Sequence, residues 1–75
     1  MTLEDFVAAF AAELDDTPAA EITPSTNFKA LEEWGSLTAL SIISMIDEKM
    51  DKIVTGADMR NCTTIEELFN LASSK

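Results

Sequence analysis

A chain of 75 residues has room for one domain and one core, and at that size burial only narrowly outweighs the entropy of folding. With 47% apolar and 25% charged residues the composition is that of a globular domain and not of a disordered segment. A net charge of −9 with only five Lys/Arg argues against nucleic acid and anionic membranes and for basic protein partners, and the lack of histidine removes the commonest general base and metal ligand.

Leu3, Phe6, Val7, Phe10 and Leu14 fall on one face of a first helix, with alanines between them. Thr2 is placed to cap it with Asp5 at the third helical position, and Glu4 and Asp5 sit where the positive end of the helix dipole favours them. From Asp15 to Gly35 the pattern breaks at Pro18, Pro24 and a Pro-Ser-Thr-Asn stretch, which predicts an unusually long connection. Ile22, Phe28 and Leu31 are the expected pins of that loop, with a short helical turn over 28–33.

A second helix is predicted from Ser36 to about Met50. At 100° per residue, Ala39, Leu40, Ile42, Ile43, Ile46 and Met50 gather on the side expected to bury. Leu37 and Met45 project on the other side with Ser41, Ser44 and Glu48. Isolated exposed apolar residues are ordinary. The functional alternative is a docking face for partner proteins, comprising Trp34, Leu37, Ser41, Met45 and Glu48. After Ile53-Val54-Thr55-Gly56, the segment 57–61 is long enough for a short helix carrying Met59 inward. Thr63 with Glu66 reads as a capping box for a last helix, whose apolar stripe is Ile65, Leu68, Phe69 and Ala72. No alternating strand pattern is present, so the expected fold is all-α: one domain over 1–75, with three main helices and one short one.

Cys62 is alone, which rules out an internal disulfide and suits a reducing compartment; the cytoplasm is the expectation. Neither a signal peptide nor 18 consecutive apolar residues is found, so no membrane insertion is expected. Asp15-Asp16, Glu32-Glu33 and Glu66-Glu67 are paired carboxylates, but neighbours on a helix point about 100° apart and read as solvated surface. Cys62 reads as a small buried hydrophobe and not as a reactive thiol. Ser36 stands apart because it opens a long apolar helix, where free backbone N–H groups and the dipole favour negative charge. Position alone leaves two readings of it, a helix cap or a site of attachment.

The run Phe28-Lys-Ala-Leu-Glu-Glu-Trp-Gly-Ser-Leu-Thr-Ala-Leu, set between an amphipathic first helix and a Thr-Thr-Ile that introduces the last, resembles the acyl carrier protein family of phosphopantetheine-binding domains. The resemblance spans nearly the whole chain. It implies a small four-helix bundle with a long first loop, and a 4′-phosphopantetheine arm moved from coenzyme A onto Ser36 by a phosphopantetheinyl transferase. It also implies a monomer that is no enzyme itself, carrying acyl or aminoacyl groups as thioesters for loading and transfer enzymes. Ile43, Ile46, Ile53, Val54, Met59 and Cys62 are the candidate lining of an acyl pocket. Relatives commonly have Asp before the modified serine, where this chain has Gly35, and carboxylates where it has Thr38 and Ser41. The alternative is an unmodified carrier-like domain acting as a protein-interaction module.

Overall fold

The computed structural model covers residues 1–75 and contains four helices in chain order: α1 (Leu3–Ala12), α2 (Ser36–Met50), α3 (Gly56–Arg60) and α4 (Ile65–Ser73). It has no β-strand, and the only β-type pairing is an isolated bridge between Asn27 and Thr64. The all-α expectation of three main helices and one short one is therefore met. No helix is long and apolar enough to cross a membrane.

Three of the helices begin in the same way. Thr2, Thr55 and Thr64 each accept a hydrogen bond from the backbone N–H three residues on, and Asp5, Asp58 and Glu67 reach back to the capping backbone. Each such box satisfies amides that a helix start leaves without intrahelical partners. The box on α4 uses Thr64 and Glu67, one residue later than the Thr63 and Glu66 expected from sequence. Both pairs have the required spacing. The register is set by the loop alongside, where the Ile65 N–H donates to the Thr26 carbonyl at 3.3 Å and the Glu66 N–H to the Pro24 carbonyl at 2.9 Å. Helix α2 differs from the other three: its N-cap is Gly35, with no side-chain cap and no acidic residue in the first turn.

Helices α1, α2 and α4 pack against one another around a core of 15 buried residues, all of them apolar. The five aromatic rings form one connected chain through that core. Phe69 on α4 meets Phe6 on α1 at 5.3 Å between centroids, Phe6 meets Phe10 at 6.4 Å, and Phe10 touches both Phe28 at 5.8 Å and Trp34 at 6.2 Å. Phe28 and Trp34 close the far end edge to face at 4.9 Å. Large, rigid rings in tilted and offset contact contribute beyond the area they bury, so this chain of rings links α1, α4 and the loop before α2.

The long connection between α1 and α2 is ordered by its pins and by one carboxylate. Ile22 and Phe28 are buried and Leu31 packs against the core, as expected. In place of one turn over 28–33, two 3-10 turns form, at Ala19–Glu21 and Phe28–Ala30. Glu33 accepts hydrogen bonds from the Asp15 N–H at 2.9 Å, the Asp16 N–H at 2.8 Å and the Thr17 hydroxyl at 2.9 Å. The sequence reading of Glu33 as solvated surface is thereby corrected, because this half-buried side chain joins the end of α1 to the approach to α2.

The buried side of α2 is also rotated from the expected one. Ile42, Met45 and Ile46 are its buried residues, whereas Leu40, expected inside, is 58% exposed. Met45, expected on the docking face, is 2% exposed. Helix α2 packs on α1 and α4 together, so its buried arc widens to include the Met45 flank. Leu40 belongs instead to an apolar stripe that faces an open groove.

Candidate functional site

Ser36 is the first residue of α2 and is exposed. Its position is set from two sides. Trp34 is held by Phe10 and Phe28, and on the other side the Ala39 N–H donates to the Gly35 carbonyl at 2.9 Å, fixing the first helical turn. The Thr38 hydroxyl donates to the Glu33 carbonyl at 2.8 Å, which ties that turn back to the loop. Gly35 has an extended backbone, φ −174° and ψ −174°, and a Cβ added there would have no heavy atom within 4 Å. Glycine is therefore not a steric requirement at this position.

Beside Ser36 lies an open groove of about 580 Å³. Trp34, Gly35, Ser36, Ala39, Leu40 and Ile43 form one wall from the start of α2, and Gly56, Met59 and Arg60 form the other from α3, with Lys29 at the loop. Of the expected pocket residues, Ile43 and Met59 line this groove. Ile46, Val54 and Cys62 are core residues that do not reach it, and Ile53 is 64% exposed and stands outside it. An apolar residue on a small bundle is much more often core than pocket, and periodicity does not distinguish the two. The residues missed were Leu40, Lys29 and Arg60. Leu40 was concealed because it extended the apparent core face, and the two cations because they lie 31 residues apart in sequence.

Of the expected docking residues on α2, Leu37 is 82% exposed, and Ser41 and Glu48 are also exposed. Met45 is withdrawn from that set by its burial, and Trp34 is half-buried, serving both the aromatic core and the groove wall. Leu37 and Leu40 thus form an exposed apolar pair directly after Ser36.

Helix α3 is tied in place by polar contacts at its C-terminal side. Met59 is buried, the Lys29 ammonium donates to the Arg60 carbonyl at 2.9 Å, and Lys75 pairs with Asp58 at 2.6 Å. The hydrogen bond from Lys75 and that from the Thr55 backbone hold the Asp58 carboxyl below its ordinary range. Glu67 is likewise held low, chiefly by the Thr64 and Thr63 backbone N–H groups. Burial pushes the Cys62 thiol up, with the nearby Glu67 charge adding to the effect, which disfavours the thiolate and is consistent with a buried hydrophobe.

These features fit a covalently attached phosphate-linked group at the start of α2. The hydroxyl is exposed, no side chain caps the helix end, and the N–H groups of residues 36–38 lack intrahelical partners. No group of three or more His, Cys, Asp or Glu side chains is arranged to hold a metal. No curated protein and no solved structure matches the chain. The model of one family, described as the phosphopantetheine attachment site, matches residues 4–71. A match over nearly the full length, on a four-helix bundle with an exposed serine opening α2, places the chain in the phosphopantetheine-attachment family of carrier domains, which bear a covalent 4′-phosphopantetheine group.

Proposed function

We propose that this carrier domain holds acyl or aminoacyl groups on a 4′-phosphopantetheine arm joined to the Ser36 hydroxyl, and presents them to partner enzymes of a biosynthetic pathway. The observation that carries this reading is the state of the α2 N-terminus, exposed and without a side-chain cap, on a chain of this family. When bound, the arm supplies a terminal thiol that forms thioesters. The chain's own residues do the rest. Trp34 and the Ala39–Gly35 hydrogen bond fix Ser36 at the surface, the first N–H groups of α2 and its dipole favour the phosphate charge, and the groove offers apolar cover. With no histidine and a buried Cys62, the chain has no histidine base to activate the Ser36 hydroxyl, which suits a substrate of other enzymes. Leu37 and Leu40, with acidic Asp47 and Glu48 further along α2, are the proposed docking face for a basic transferase and for loading enzymes.

Gly35 supports a second reading, a domain of this fold that stays unmodified and acts by docking alone, because the residue before the serine contributes neither charge nor cap. One experiment separates the two. Purified protein is incubated with coenzyme A, magnesium and a broad-specificity phosphopantetheinyl transferase, and intact mass is measured. A gain of one phosphopantetheinyl group, absent in Ser36→Ala, is expected. No gain would leave the docking module, and a gain that persists in Ser36→Ala would place the arm elsewhere.

A further inference from the structure

The chain has 14 acidic and five basic side chains, yet two of the five basic ones line the groove beside Ser36 and no acidic one does. The local charge is therefore opposite to that of the protein as a whole. Arg60 is not neutralised from within α3, because the acid of that helix, Asp58, is paired with Lys75. The Arg60 guanidinium lies against the start of α3, where a Cβ on Gly56 would meet Nη1 at an ordinary contact distance of 3.5 Å. Lys29 is fixed nearby by its 2.9 Å hydrogen bond to the Arg60 carbonyl, although the Glu67 carboxylate lies within its field and offsets part of its charge. Arg60 is thus the stronger anion receptor of the two. Between Ser36 and this cationic end the wall is apolar, formed by Ala39, Leu40, Ile43 and Met59.

We propose that the groove selects an acyl group that ends in a free carboxylate, its apolar stretch lying on Leu40, Ile43 and Met59 and its carboxylate on Arg60, with Lys29 in support. This rests on Ser36 as the point of attachment. A guanidinium suits a carboxylate because its planar fork can donate two parallel hydrogen bonds. An aminoacyl group is disfavoured by the same arrangement, since its ammonium would meet two cations and no carboxylate on the groove wall. Two anions could satisfy these cations, a cargo carboxylate or the phosphate of the arm, and the proposal commits to the cargo.

The test places the cargo chemically, so that it does not depend on enzymatic loading. Ser36→Cys is alkylated with reagents whose tails end in a 13C-labelled carboxylate, its neutral methyl amide, an ammonium, or a phosphodiester without carboxylate; buried Cys62 does not compete. The carboxylate tail is expected to titrate several tenths to about one unit below the free reagent. It should also shift the Arg60 Nε–H resonance, which the amide and ammonium tails leave in place. Arg60→Gln should abolish both effects and Lys29→Gln should reduce them. Equal responses to carboxylate and amide tails would overturn the proposal, as would a full Arg60 response to the phosphodiester tail alone. Failure of the attachment reading shows separately, as absence of the transferase-dependent mass gain on the native chain, and the groove's preference is measured in either case.

Discussion

Trp34 lies nearly parallel to Phe10, with planes 8° apart and centroids 6.2 Å apart, two residues before Ser36. The stack connects the position of the candidate attachment residue to the core of α1. Through Phe6 it extends as far as Phe69 on α4. Placement of the serine thus depends on the core of the bundle as well as on its local loop.

Trp34→Ala should therefore act on both stability and modification. The half-buried ring predicts a loss of about 2–3 kcal/mol, below the range for a fully buried aromatic residue. For a domain of this size that lowers the thermal midpoint by roughly 10–20 °C. Trp34→Phe should lose about 1 kcal/mol and keep transferase-dependent mass gain near the native rate. A midpoint unchanged in Trp34→Ala would show that the stack does not hold the loop.

Met45 and Leu37 should separate cleanly. Met45→Ala empties a buried site and should cost about 2–4 kcal/mol in denaturant unfolding. Leu37→Ala should stay within about 0.5 kcal/mol of the native chain while slowing modification several-fold. Stability loss in Leu37→Ala, or its absence in Met45→Ala, would contradict the observed rotation of α2.

That rotation shows how far the sequence was legible. The bounds of α2, the Thr2–Asp5 capping box and the loop pins Ile22, Phe28 and Leu31 follow from local patterns of spacing and chemistry, which short-range forces impose. The buried arc of α2 does not, because Leu40 and Ile43 are apolar for a groove and biased the expected core towards themselves. The doubled Thr63-Thr64 and Glu66-Glu67 gave two equivalent caps, and only contacts with residues 24–27 select between them. Glu33 bonds to residues 16 to 18 positions away, a distance at which no local pattern exists.

Glu33 also gives the domain a pH dependence. Burial would raise its pKa, but hydrogen bonds from the Thr17 side chain and from the Asp16 and Asp15 N–H groups outweigh that and hold it below the ordinary value. A carboxyl lowered on folding contributes stability above its unfolded pKa and loses it as pH falls through the folded one. Stability should therefore decline as pH drops below roughly 4.5, and Asp58 and Glu67, lowered as well, add to the decline. Glu33→Gln should be less stable at neutral pH and show a shallower acid limb in thermal unfolding followed by circular dichroism. A limb as steep as the native one would assign the acid sensitivity to other groups.

Gly35→Asp should be accepted without strain, since the backbone is extended and the space around it open. Aspartate can cap α2 and complement its dipole, which predicts a gain of a few tenths of a kcal/mol over glycine. Modification by a basic transferase should accelerate as well. A slower mass gain in Gly35→Asp would indicate that the uncapped helix end is what the transferase requires.

Trp34 is the single tryptophan, and the chain has no tyrosine. All useful near-ultraviolet emission therefore arises from one indole, packed on Phe10 and Phe28 on one side and bordering the groove on the other. Its intensity should follow the melting of the bundle, and its wavelength maximum should move when cargo displaces water from the groove. Folding and loading can thus be followed optically on the native protein, without a label.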